Sequence, residues 1–528
     1  MATNVPNAVP VPVNIVGSSI FGRYPKISDE KTYNMFISDD WLVNYAGFQK
    51  VLEILSEGGE GRALFHSVRG NFIIAVFSST VYKITPSLAP QPKGNLDTGF
   101  GEVFIDENLS SQICIVDGEA AWIYNWGTDE FVKQTLTFSG NDITPNYVTY
   151  HNTFFFFFSA LNSVNPQNWY AFEFGTTSTI TLNTQFALQT KPDSAIAIKR
   201  LPGKGNNVLV IGETVCEVWT QIGGLENYRR LQSFNIDSGC VSVSTIAANE
   251  DFVCWLAQNE NNAPCIMVTD GSSHRRISTD GIDYLLQTIE FPNQSTAFFF
   301  RQDGHLFWQI TFYNEADNLS LIHDFTTGLF FHVCRENMDY HPARDVVYFN
   351  GNTYFISIND GSLYQMGTEF VGYNYSLDPQ AYPEDIPRIR VCKTIRLEDS
   401  SVFRVGMLTF WIEQGENKYY LSETATCVGV LVSQTGIPLV SQSGISLISQ
   451  SGFCSPEPIA PRVDMTFSKN GNASFSNAVG RKLNTRGQYR NQLRWWRLGQ
   501  CNEFTVQLRF WGMQRFVCKD GIAEVLQK

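Results

Sequence analysis

Short runs of β-branched and aromatic residues, each closed by a Gly, Asn or Asp turn, follow one another along most of the chain. ALFHSV (63–68), NFIIAVF (71–77) and TVYKIT (80–85) form one set. GEVFID (101–106), QICIVDG (112–118) and AAWIYNW (120–126) form the next, and the pattern continues to SLYQMG (362–367). Strand, tight turn and aromatic-rich second strand read as repeated β-hairpins. Seven such sets over about 300 residues give a period of about 45, close to the roughly 40–50 residues of a four-stranded propeller blade. The expectation is an all-β chain with a β-propeller core of six to seven blades. A pair of packed β-sandwiches would give the same local strands. One helix is expected at 280–289, with Asp280 as N-cap and Ile282, Leu285, Leu286 and Ile289 on one face.

Composition narrows the function classes. Hydrophobic residues make up 43% and charged residues only 17% of the 528, which excludes disorder across the whole chain. No stretch reaches the roughly 18 apolar residues of a membrane helix, and the N-terminus lacks a basic stretch leading into an apolar one, so no membrane anchor is expected. The 11 Cys are odd in number and contain no CxxC pair; they read as reduced, buried thiols of a protein made in a cytoplasm. The seven His show no HxH, HExxH or HxxxH spacing. There is no GxSxG elbow, and the cluster Ser56-Glu57-Gly58-Gly59-Glu60-Gly61 lacks the Lys and helix of a phosphate loop. No metal, no cofactor and no catalytic residues are therefore expected. One enzyme-like echo is Ser468-Lys469-Asn470-Gly471-Asn472-Ala473-Ser474-Phe475, similar to the Asp-box hairpin of sialidase propellers. That box is structural, and the chain is read as a non-enzyme.

The expected organisation is an N-terminal arm with first strands (1–55), the propeller (56–369), a linker (370–388) and a C-terminal β-sandwich-like domain (389–528). Within the last, LVSQTGIP, LVSQSGIS and LISQSGFC repeat every eight residues over 431–454. That insert lacks charge and invites association, as an inserted hairpin or a surface loop. Net charge is −13, yet residues 461–528 carry 12 Lys and Arg against four acids, so the remainder carries −21. An acidic body repels a passing polyanion, and the basic segment can dock on an acidic surface or meet phosphates.

Three stretches resemble a known family. They are Tyr33-Asn34-Met35-Phe36 with Ala46-Gly47-Phe48; VLVIGETVCEVWTQIGG (208–224) with residues 237–279; and residues 468–510, with a Gly-x-Tyr, an Arg-rich Trp strand and Leu-Gly. Together they resemble the packaged-DNA stabilisation proteins of short-tailed bacteriophages, also called tail accessory factors or tail hubs. The resemblance implies a propeller core and a homo-hexameric ring below the portal and its adaptor ring. It implies a virion tail protein, assembled in the host cytoplasm, that closes and stabilises packaged DNA as part of the ejection conduit. The implied partners are the tail adaptor, the tail needle or plug, tailspikes or fibres, and double-stranded DNA passing without sequence-specific binding. The candidate assembly interface is Arg486, Arg490, Arg494, Trp495, Trp496 and Arg497. Strand alternation places Arg490, Arg494 and Trp496 on one face and Asn491, Trp495 and Arg497 on the other. A propeller-type tailspike or carbohydrate-binding receptor protein is the alternative reading.

Overall fold

A computed structural model describes residues 8–21, 30–55, 59–152, 154–159, 165–173, 179–181, 184–223, 228–379, 381–397, 401–415, 429–430, 448–449, 461–483 and 489–527. The chain divides into two compact units, one of residues 18–35 and 45–379, the other of residues 1–17, 36–44 and 380–528. The sequence charges of these segments are −17 and +4, which together give the −13 of the chain.

Among its described residues the larger unit forms a β-propeller of seven mainly antiparallel sheets in chain order. The first blade is typical, with strands Gly61–Ser67, Phe72–Phe77, Thr80–Ile84 and Pro90–Asn95. Five of the seven stand as separate sheets of four or five strands; the second blade, from Phe104–Glu107 onward, is widened to six. The sixth, led by Ser295–Gln302, carries Lys31–Tyr33 on its last strand, where Tyr33 pairs in parallel with His332.

Burial explains the order within a blade. Phe72–Phe77 and Gln112–Val116 are buried at every residue, because a second strand has a neighbouring blade on both faces. Pro90–Asn95, a fourth strand, is mostly exposed. Apolar clusters join the seventh blade to the first, the first to the second, the second to the third, and the third through the fifth. A further cluster joins the fifth to the sixth and takes in Ile282 and Leu286 of the helix.

Tight turns set the registers. Asp303-Gly304 and Asn350-Gly351 both have positive φ at each residue, and the strands they join pair at Gln302↔His305 and Phe349↔Asn352. Paired positive φ values are the type I′ geometry that matches strand twist. The helix spans Asp280–Gln287, and its N-cap is Thr279, not Asp280. Thr279 has the extended backbone of a cap and its hydroxyl accepts from Ile282 N, while Asp280 sits in the first turn and pairs with Arg276.

The ring closes with strands from opposite ends of the unit. Gly47–Leu55 is antiparallel to Gly361–Gly367 and completes the seventh blade begun by Ala343–Phe349 and Asn352–Ser357. Residues 1–55 are thus shared out: 47–55 is a propeller strand, while 8–13 belongs to the other unit. The segment 370–388 contains Tyr373–Asn374, which pairs in parallel with Phe48 and Gln49, and the two units divide within it, at 379/380.

Among its described residues the smaller unit forms two main sheets and one two-stranded ribbon. One orders Ala8–Val13, Gly521–Gln527 and Phe403–Gln414 as neighbours, with Arg490–Cys501 on the other edge of Phe403–Gln414. The second contains Arg388–Val391, Glu503–Trp511, Arg462–Ser468 and Val479–Lys482. Arg390 is fully buried, and its Nε donates to Ile15 O at 2.7 Å, which ties the N-terminal segment to this unit. A Cβ on Gly17 would press on the Arg390 guanidinium, so a larger residue there would displace that side chain. Nine cysteines among the described residues are free thiols. The repeat insert 431–454 lies outside the described residues except for Ile448–Ser449, which pairs with Gly429–Val430. No helix among the described residues is long and apolar enough to cross a membrane.

Candidate functional site

The strand Arg490–Cys501 alternates strictly over its first half. Asn491, Leu493 and Trp495 are buried, and Arg490, Gln492, Arg494 and Trp496 are exposed. Alternation is expected of an antiparallel strand with one face in the core. Trp495 is 1% exposed, packs on Phe410 at 5.9 Å between ring centroids, and donates from Nε1 to Val479 O at 2.8 Å. It is a core residue that a partner cannot reach. Trp496 is 55% exposed.

Arg497 departs from the expected pattern. It was placed on the face of Asn491 and Trp495 but is exposed, with φ of 59°. The cause is a β-bulge. Val405 pairs with Gly499 and Met407 with Trp496, so Arg497 and Leu498 together oppose the single residue Gly406. The extra residue resets the alternation and turns Arg497 outward. Arg486 lies outside the described residues.

The outward face has contributors that sequence reasoning missed. Trp411, 40% exposed, pairs with Gln492 on the neighbouring strand. Its signal was present in FRVGMLTFWIE, where it falls out of phase with buried Phe410 and Ile412. Arg481 lies over both tryptophans, 5.6 Å from the Trp496 ring and 6.0 Å from Trp495, and its Nε donates to Arg494 O at 2.9 Å. Arg490 pairs with Glu413 at 2.9 Å, and Arg494 Nη2 donates to Gln492 Oε1 at 2.9 Å. The face therefore presents two partly exposed indoles among guanidinium groups. Tryptophan and arginine are the residues that most often anchor an interface.

The Asp-box echo is a closed local turn. Asn470 Oδ1 accepts from Ser468 Oγ at 2.8 Å and from Ser474 N at 3.2 Å, and Gly471 and Asn472 both have positive φ. Asn470 thus does the turn-forming work of an Asp.

Elsewhere the titratable groups serve packing. His305 Nδ1 lies 2.9 Å from Asp324 Oδ2, but that carboxylate also accepts from Thr326 N and Thr327 Oγ1 within the same blade. His323 and Asp324 are both buried although adjacent, because a blade strand has protein on both faces. Among the described residues, no group of three or more His, Cys, Asp or Glu is placed to hold a metal.

Comparison with known proteins gives one family. Residues 33–370, more than half of the chain, match the phage stabilisation family described as "Bacteriophage P22 Gp10, beta-propeller". No curated protein sequence matches. Among solved structures, a catalytically inactive virginiamycin B lyase from Staphylococcus aureus is 11% identical, with a TM-score of 0.41, over 61% of this chain and 99% of that one. The extracellular domain of a hybrid two-component system from B. thetaiotaomicron is also 11% identical, with a TM-score of 0.40, over 87% of this chain and 58% of that one. Likenesses this remote carry nothing about activity.

Proposed function

Because the chain belongs to the bacteriophage stabilisation family of P22 Gp10, we propose that it is a structural, non-enzymatic protein of a phage tail. Its role is that of a hub or nozzle, a ring of copies attached below the portal-adaptor complex that closes and stabilises the packaged DNA and forms part of the ejection conduit. The family match across residues 33–370 carries the reading. Two physical features support it. The propeller segments sum to −17, and a negative wall lets a polyanion pass without sticking. The Trp496, Trp411, Arg490 and Arg494 face offers apolar anchors with guanidinium donors for an acidic neighbour.

In this proposal the partners are the tail adaptor, the needle or plug, the tailspikes or fibres, and further copies of the chain. The test is the mass of the purified protein, alone and mixed with its tail adaptor, measured for the natural chain and an Arg490→Ala/Arg494→Ala variant. Ring assembly on the adaptor is expected, weakened in the variant while its melting curve is unchanged. A chain that ignores the adaptor and binds soluble glycans would overturn the hub in favour of a receptor-binding protein.

A further inference from the structure

The sixth blade of the propeller has an acidic end. The segment leading into Ser295–Gln302, the turn after His305–Phe312 and the chain following Leu329–His332 meet there. Asp317 ties the first two together, its Oδ1 accepting from Glu290 N at 2.7 Å and its Oδ2 from Phe291 N at 2.9 Å. Asn318 ties the second to the third, donating from Nδ2 to Asp339 Oδ1 at 3.0 Å and accepting from Tyr340 N at 2.6 Å. Residues 290–294, 313–318 and 333–340 carry Glu290, Glu315, Asp317, Glu336 and Asp339 against Arg335, a charge of −4. Arg335 is itself paired with Asp339 at 3.1 Å. Among these acids Phe291 is 37% and Met338 38% exposed.

The outward face of the smaller unit is its complement. Trp496 and Trp411 stand there beside Arg481, Arg490, Arg494 and Arg497, with Glu413 paired to Arg490. Each surface thus sets two partly exposed apolar side chains within charge of one sign, and the signs are opposite. The same contrast runs through the whole chain, where the segments of the two units sum to −17 and +4.

A second copy of the chain is the partner that this pair of surfaces fits. A protein of net charge −13 repels its own copies unless patches of opposite sign meet. Here the indoles can lose their water against Phe291 and Met338 while the arginines face Glu290 and Glu315. A thioether against an aromatic ring is itself a favourable contact. Because the two surfaces differ, the contact runs head to tail, and repeated about a closing axis it makes a ring.

We infer that the Trp496 face of one copy docks on the acidic end of the sixth blade of the next copy. This gives the ring of copies its contact, and it rests on the proposed function for the ring alone. The contact itself needs only two copies of the chain.

The test reverses charge on each surface and then mixes the variants. One full-length variant is Arg490→Glu/Arg494→Glu and the other Glu290→Arg/Glu315→Arg; all four side chains are exposed, and melting curves check that both variants fold. Sedimentation velocity, at up to about 100 μM, follows the chain alone and on its tail adaptor, so that a micromolar contact is populated. The natural chain is expected to associate with itself. Each variant by itself is expected to associate at least about tenfold more weakly, because like charges then face each other. An equal mixture of the two is expected to recover the natural behaviour, since every contact in it again joins opposite signs. A natural chain with no contact between copies in either setting would overturn the inference. So would variants that associate as the natural chain does, or a mixture that stays as weak as its components. These results leave the hub standing wherever the chain still binds the adaptor. A chain that ignores the adaptor yet is rescued by mixing keeps this contact and loses the hub.

Discussion

Closure of the propeller by Gly47–Leu55 makes Phe48 the most informative residue to remove. Phe48 is fully buried and lies on the closing strand, with Met366 as its cross-strand partner. Its ring stacks on Tyr373 at 4.4 Å and meets Tyr364 at 5.2 Å, Phe355 at 5.3 Å and Tyr375 at 5.4 Å edge-on. Phe→Ala in a core costs about 3–5 kcal/mol from lost transfer energy and the cavity left behind. Aromatic pairs add about 0.5–1.5 kcal/mol each beyond area, and four pairs are lost together, so Phe48→Ala belongs at or above the top of that range. Tyr373 lies on the strand after the seventh blade, so the loss also loosens 373–374. Denaturant unfolding followed by tryptophan fluorescence measures the cost. Phe100→Ala is the control, because Phe100 is 81% exposed and its loss belongs within about ±0.5 kcal/mol. A cost below about 1 kcal/mol for Phe48→Ala would show that Gly47–Leu55 does not close the ring.

Three further outcomes are expected. Burial raises the Asp345 carboxyl to about 6, against hydrogen bonds from Val346 and Leu64 and the nearby Lys199 and Arg344. Its native form therefore holds a proton longer than the unfolded chain, and its contribution to stability falls as pH rises from about 4 to 6, by at most about 3 kcal/mol. Asp345→Asn lacks this slope, so it gains on the natural chain over that interval; parallel pH–stability curves would refute the assignment. Burial lowers His151 and His323 to about 4 and His332 and His341 to about 3, so the unfolded chain binds these protons first. They therefore contribute stability that is complete above about pH 6.5 and is lost on acidification, read as a melting temperature that falls from pH 6.5 towards 4 and falls less in His341→Gln. Trp495→Ala is expected to cost about 3–5 kcal/mol in denaturant and Trp496→Ala within about 0.5, while only the second spares the fold and weakens assembly; equal costs would refute the burial pattern.

The blades were legible because their information is local. Each hairpin is written in a few adjacent residues, such as Asp303-Gly304 between two aromatic runs. What was not legible is what joins distant segments. Nothing local in GFQKVLEIL marks it as the partner of GSLYQMG about 300 residues later, because any amphipathic strand can fill an edge. The same holds for Ala8–Val13, which pairs with Gly521–Gln527 at the other end of the chain. In the candidate face, alternation sorted Arg490, Arg494 and Trp495 correctly up to Trp496 and failed at Arg497. A bulge depends on the neighbouring strand, here Gly406, which the sequence of Arg490–Cys501 does not contain. Thr279 was missed as N-cap because Thr279 and Asp280 both suit the position, and the backbone decides between them.

The composition of the face constrains what kind of contact it can make. The Arg490–Glu413 pair is highly exposed, and such pairs contribute about 0–1 kcal/mol and weaken with salt. Guanidinium groups here can steer an acidic partner and set its orientation, but they cannot supply most of the affinity. Desolvation of Trp496 and Trp411 can, since an indole brings a large apolar area at low entropic cost. An interface built this way keeps its dissociation rate when salt is raised and loses association rate. Trp496→Ala should therefore act on dissociation and Arg494→Ala on association and its salt dependence. If both variants changed only the association rate, the tryptophans would be bystanders and the face a purely electrostatic one.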